Sequence, residues 1–221
     1  MMKVYSSRSS RPVWLLVAAC ALLLTASLTY GQGLPQSNPE RGQTLANQRC
    51  VGCHGPNGQS QTPTFPSLAA QVPSYLSTQL ILLRAGIRQS PVMNAIAKDL
   101  SDQDIADLTA YYASQPPRAP WPASDPELQA KGKALFEKGD RTRGLIACAI
   151  CHGPAGQGVN ANGIPRIAQQ SPDYFINVMK VFANLDLPPG ESPFVDAMIL
   201  TAKLLTEDEL KALAEYVKSM P

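Results

Sequence analysis

The sequence predicts an all-α protein in which one helical unit is used twice in tandem. Three observations carry that expectation. Cys53-His54-Gly55-Pro56-Asn57-Gly58-Gln59 recurs 98 residues later as Cys151-His152-Gly153-Pro154-Ala155-Gly156-Gln157. Pro66, Gln71, Pro73 and Tyr75 are matched 99 residues on by Pro165, Gln170, Pro172 and Tyr174, and Met93, Leu100, Ser101, Leu108 and Tyr111 are matched 105 residues on by Met198, Leu205, Thr206, Leu213 and Tyr216. No segment shows a convincing period-two alternation, whereas helix-start signals come in pairs.

In chain order, the first element is a leader. Lys3, Arg8 and Arg11 precede the nearly all-apolar run Val13 to Leu28, the layout of an export signal. Residues 1–31 are therefore assigned to an export signal, cleaved near Gly31, or to an uncleaved N-terminal membrane anchor. Val13 to Tyr30 is 18 residues, the lower limit of a membrane span. Val17-Ala18-Ala19-Cys20 also resembles a lipoprotein signal, although the apolar run continues past Cys20.

The whole chain carries 19 Lys+Arg against 17 Asp+Glu. Without residues 1–31, which hold three of the basic groups, it is near neutral. No basic stripe points to nucleic acid.

Asn38-Pro39-Glu40 and Asp125-Pro126-Glu127 each place a capping side chain before a proline at the first helical position. The helix each starts leads toward a Cys-His motif. A second helix begins near Pro73 and, in the other copy, after Ser171-Pro172. The last helix of each unit opens on a capping box, Ser101 with Asp104 and Thr206 with Glu209, stapled by Leu100 with Ile105 and Leu205 with Leu210. Ile105, Leu108 and Tyr112, like Leu210, Leu213 and Val217, follow helical spacing and are assigned to the core.

Between the copies, Gln115-Pro116-Pro117-Arg118-Ala119-Pro120-Trp121-Pro122 excludes helix and favours an extended, semi-rigid connector. The expected organisation is a first domain at 38–115, a linker at 116–124 and a second domain at 125–221. Units of this size bury modest cores, so a bound apolar group would supply much of the interior.

The chemistry lies in two CxxCH pentapeptides, Cys50-Val51-Gly52-Cys53-His54 and Cys148-Ala149-Ile150-Cys151-His152. They contain both histidines of the chain. This is the pattern of covalent c-type haem attachment, two thiols for the vinyl groups and a histidine for one face of the iron. Structural zinc wants four ligands where each half offers three. A thioredoxin-like dithiol belongs in a βαβ context that this sequence lacks.

With both histidines committed, bis-histidine ligation within the chain is impossible, and methionine becomes the candidate for the sixth position. Met93 and Met198 superpose in the repeat without a gap. Met179 falls opposite Leu80 and reads as core packing, while Met220 has no counterpart. Pro66 and Pro165 follow their histidines by 12 and 13 residues, and a carbonyl near either could accept the histidine's free N–H.

Taken with Tyr75-Leu76 leading to Arg84-Ala85-Gly86-Ile87-Arg88, Met93 followed by Asp99 to Ser114, and Gly132-Lys133-Ala134-Leu135-Phe136, these motifs resemble class I di-haem cytochromes of the cytochrome c4 family over residues 38 to 221. The resemblance implies two cytochrome c domains about a pseudo-twofold axis, two covalent haem c groups, and periplasmic electron shuttling toward a terminal oxidase. It implies thioether anchors at Cys50, Cys53, Cys148 and Cys151, proximal ligands at His54 and His152, distal ligands at Met93 and Met198, and no catalytic residue.

Arg84 and Arg88 are either partners of haem propionates or ordinary surface arginines. The second copy lacks Gly86-Ile87-Arg88 and runs from Asn184 to Phe194 instead, either a solvated insertion or a docking loop. Two other functions fit the same motifs. One is the electron-accepting subunit of a dehydrogenase such as a sulfide- or alcohol-oxidising flavoprotein. The other is a haem enzyme of peroxidase or thiosulfate-oxidising type with one open iron.

Overall fold

A computed structural model describes residues 35–188, 190 and 192–221. The expected leader, with Cys20, lies outside the described residues. The first unit contains α1 (Pro39–Arg49), α2 (Val51–His54), α3 (Pro73–Arg84), α4 (Pro91–Ala97) and α5 (Asp102–Ser114). The second repeats the order with α6 (Pro126–Lys138), α7 (Cys148–His152), α8 (Pro172–Asn184), α9 (Pro193–Leu204) and α10 (Glu207–Ser219). Among the described residues the only β pairing is in two isolated bridges, Asp140 with Leu145 and Val159 with Ile164. The all-α, duplicated architecture is thus met.

The helix starts follow the sequence signals. Asn38 accepts from the Arg41 N–H at 2.9 Å, and Asp125 accepts from Glu127 and Leu128 at 3.0 Å each. Both capping boxes close as read. One difference is that α4 and α9, the helices bearing Met93 and Met198, are not among the helices expected from the sequence. Their starts nevertheless carry the same signal, Ser90-Pro91 and Ser192-Pro193, a capping residue before proline at the first position.

Helix α1 crosses α5, and α6 crosses α10, with their backbones in contact. A Cβ added at Gly42 would lie 2.1 Å from the Asp107 carbonyl oxygen, and one at Gly132 would lie 1.9 Å from that of Ala212. Only glycine permits that approach. The crossing seals one side of each core. Ile105, Leu108 and Tyr112 are buried in the first core, Leu213 and Val217 beside Phe136 in the second, and Leu210 with Met179 nearby.

A carboxylate on the last helix also ties down the start of the first, by different positions in the two units. Asp107, fully buried, accepts from the Asn38 N–H at 2.7 Å and from Arg41 Nη1 at 2.8 Å. In the second unit Glu215 accepts from the Ser124 and Asp125 N–H groups at 2.5 and 3.2 Å and pairs with Lys218. The repeat partner of Asp107 is Ala212, so the task has moved by one helical turn.

No helix forms between Ser114 and Pro126. The proline-rich segment lies along the second unit, with the Trp121 N–H on the Lys218 carbonyl at 2.9 Å and the Arg118 guanidinium 3.8 Å from the Trp121 ring centroid.

Candidate haem-binding site

Both CxxCH motifs form single helical turns that end in a histidine and a glycine at positive φ, Gly55 at 74° and Gly153 at 81°. A Cβ at Gly55 would meet the Gln59 carbonyl oxygen at 2.2 Å, so the chain can leave this turn only through glycine. The turn aims each imidazole inward, and both histidines are buried. His54 Nδ1 lies 2.9 Å from the Pro66 carbonyl oxygen and His152 Nδ1 lies 3.0 Å from that of Pro165.

Because a carbonyl can only accept, each Nδ1 carries the proton and each Nε2 presents a lone pair. Burial lowers the pKa of both rings, working against the carbonyl bond that raises it, so the neutral ligating form is favoured. Burial also pushes the Cys50 thiol up, and the Cys148 thiol to about 11.

Met93 and Met198 line one continuous cavity of about 450 Å³ together with His54, His152, Cys50, Cys148 and Cys151. Cys53 is half-buried and lies off the cavity wall. Met179 is buried against Ala202 and Leu210 as expected of core, and also reaches the wall. Met220 is buried in the second core, its sulfur 3.2 Å from where a Cβ on Gly156 would sit.

Among the described residues the charged side chains on the wall are Arg49, Arg88 and Arg166, with no carboxylate. An apolar cleft lined by thiols, neutral imidazoles, thioethers and guanidinium groups suits a porphyrin iron with acidic substituents. The residues fit haem c.

The two units meet beside this cavity through bonds that a twofold exchange would reproduce. Gln71 Nε2 donates to the Arg166 carbonyl at 2.8 Å and the Arg166 N–H donates to Gln71 Oε1 at 2.7 Å. Gln170 Nε2 donates to the Ser67 carbonyl at 3.1 Å and the Ser67 N–H donates to Gln170 Oε1 at 2.8 Å. Arg88 crosses the same junction, its Nη2 donating to the Tyr174 hydroxyl at 3.2 Å and its Nη1 to Gln79 at 2.7 Å. Arg84 is engaged elsewhere, on Asp102 at 2.7 Å and the Leu100 carbonyl at 2.8 Å.

The family model for cytochrome c matches residues 39–115 and again 129–221. Cytochrome c4 of Thiocapsa roseopersicina is 36% identical over 187 residues, covering 83% of this chain and 93% of the relative. The chain belongs to the di-haem cytochrome c4 family. The reduced cytochrome c4 of Pseudomonas stutzeri superposes with a TM-score of 0.76 at 30% identity, covering 84% of this chain and all of that one. A thiosulfate dehydrogenase electron acceptor of Thiomonas intermedia is 31% identical, covering 78% of each.

As a cytochrome c4 relative, the protein is an electron-transfer cytochrome with two covalent haem c groups. The sequence located the motifs but gave no role to Gln71, Gln170, Tyr75 or Tyr174. Their retention in the repeat was the available signal. Arg166 had none, since its repeat partner is Ser67.

Proposed function

We propose that the protein is a periplasmic one-electron carrier between redox partners, with one haem in each of the units 38–115 and 125–221 and residues 116–124 as the connector. Each bound haem supplies Fe(III)/Fe(II) exchange. Cys50 with Cys53, and Cys148 with Cys151, are the thioether anchors. With haem bound, His54 and His152 would hold its iron through Nε2, and Met93 and Met198 would each supply a thioether. The observation that carries this reading is that His54, Met93, His152 and Met198 line one cavity whose charged wall residues, among those described, are arginines only.

A histidine and a methionine for each iron would leave no ligand position open to a substrate, and no catalytic residue is assigned. The export-type leader favours the periplasm, free or held at the inner membrane by an uncleaved leader. No helix among the described residues is long and apolar enough to cross a membrane. A terminal oxidase is the favoured acceptor. A second reading, acceptor for a thiosulfate-oxidising dehydrogenase, is favoured by the Thiomonas intermedia relative.

A spectroelectrochemical titration of the holo-protein tests the core of this proposal. Two low-spin haems, both showing the weak far-red band of methionine on ferric iron, are expected. One high-spin haem would move the open-iron enzyme ahead.

Arg88 is assigned to the haem carboxylates, and Arg84 is not. Arg88→Gln removes a cation that disfavours ferric iron, so at least one midpoint is expected to fall, while Arg84→Gln leaves both in place. Unchanged midpoints in Arg88→Gln would reject the assignment.

A further inference from the structure

Each proximal histidine donates to the carbonyl of a proline, and the peptide unit containing that carbonyl continues into the next residue's N–H. In the second unit this is the Pro165–Arg166 peptide. Its C=O lies 3.0 Å from His152 Nδ1, and its N–H donates to Gln71 Oε1 at 2.7 Å. In the first unit it is the Pro66–Ser67 peptide, whose C=O lies 2.9 Å from His54 Nδ1 and whose N–H donates to Gln170 Oε1 at 2.8 Å. Each glutamine therefore belongs to the unit opposite the histidine whose peptide it holds.

The glutamines are fixed for this task. Both are buried. Gln71 Oε1 accepts from its own neighbour's Val72 N–H at 2.9 Å as well as from Arg166, and Gln170 Oε1 accepts from the Ser171 N–H at 2.8 Å as well as from Ser67. Two backbone donors on one amide atom require that atom to be oxygen, which sets the orientation of each amide. Their Nε2 groups then donate to the Arg166 and Ser67 carbonyls.

We infer that Gln71 and Gln170 are crossed positioning residues, each setting the basicity of the other unit's proximal histidine through a single polarised peptide. An acceptor on the peptide N–H makes the same peptide's carbonyl a stronger acceptor, the cooperative strengthening of a hydrogen-bond chain. A stronger carbonyl draws the Nδ1 proton and raises the electron density that Nε2 offers to iron. Ferric iron gains more than ferrous, so the glutamine lowers the midpoint of the haem across the interface. The inference rests on the proximal roles proposed for His54 and His152.

The experiment uses the full holo-protein carrying Met93→Ala, in which loss of one far-red band and a lowered first-unit haem leave the upper midpoint to the second unit. Adding Gln71→Leu is expected to raise that upper midpoint by about 18 to 28 mV. This corresponds to roughly a twofold to threefold change in the reduction equilibrium at about 59 mV per tenfold for one electron. Adding Gln170→Leu instead is expected to leave it unmoved, and the reciprocal pattern holds in a Met198→Ala background.

A purely structural loosening of the interface would move the same haem with either glutamine. Equal shifts, no shift, or a shift on the glutamine's own side would overturn the inference. Should a leucine variant fail to assemble, Gln71→Asn and Gln170→Asn, which withdraw the amide by one methylene, carry the same crossed expectation. The proximal and distal assignments are read separately, from the low-spin spectrum and the far-red band.

Discussion

A chain in which Cys50, Cys53, Cys148 and Cys151 are all serine is expected to lose cooperative unfolding altogether. The cavity that both CxxCH turns face is about 450 Å³. At about 24 cal/mol per Å³ of void, leaving it empty would cost about 11 kcal/mol as an upper figure. A domain of this class has only about 5–15 kcal/mol of stability in total. Water entering the cleft relieves part of the void but wets the apolar faces of Leu76, Leu83, Leu108 and Leu213, which are buried against it.

Three arginines on a wall that, among the described residues, holds no carboxylate would add uncompensated charge to the same cleft. The helices would retain their caps, yet caps are worth only about 1 kcal/mol each and cannot replace the interior. Circular dichroism during a urea titration checks this. A sigmoidal transition near that of the holo-protein would mean that the polypeptide core suffices and that haem is not the indispensable interior of the fold.

Much of that arrangement is legible in the sequence. CxxCH fixes two thiols and an imidazole within one helical turn, so local geometry follows from spacing alone. The capping boxes and helix-start prolines are likewise local, and they place α1, α3, α5 and their counterparts. Helices α4 and α9 carry the same Ser-Pro start, but α4 runs only seven residues, too few for an apolar periodicity to mark it or, through the repeat, its counterpart.

What could not be read was everything that depends on two units meeting. The repeat marked Gln71 and Gln170, yet a shared position is equally well explained by a shared core. Only the fold places Gln71 on the Arg166 peptide. Arg84 and Arg88 stood as equals in the sequence. The turn through Gly86, at φ 70°, swings Arg88 toward Tyr174 and leaves Arg84 with Asp102. The exchange of Asp107 for Glu215 was invisible for the opposite reason. Equivalent tasks here fall on non-equivalent positions, and a repeat alignment can find only the equivalent ones.

Replacing either methionine proposed as a distal ligand is expected to give the largest redox change. A thioether is a soft ligand that favours ferrous iron, so Met/His ligation raises the potential. Met93→Ala and Met198→Ala should each lower one midpoint by more than about 59 mV, a shift of more than tenfold in that haem's reduction equilibrium. Each should also remove the far-red band of one haem while both remain covalently attached.

The two methionines are held differently, which makes the pair informative. Asn94 pins α4 to the end of α3, its Nδ2 donating to the Leu83 and Arg88 carbonyls at 2.7 and 2.9 Å while its Oδ1 accepts from the Ser90 N–H at 2.7 Å. The repeat partner of Asn94 is Ile199, which can form no such bonds. In the second unit Asp196 instead accepts from the Gly190 N–H at 2.8 Å, and Ser192 caps α9 through the Val195 N–H. Both methionines pack against their cores, but the helix bearing Met198 is held by its cap and the Asp196 contact, that bearing Met93 by a three-bond amide. A variant that kept the parental band and midpoints would show that the thioether at that position is not a ligand. Were this Met198→Ala alone, the nearby wall residue Met179 would become the thioether to test next.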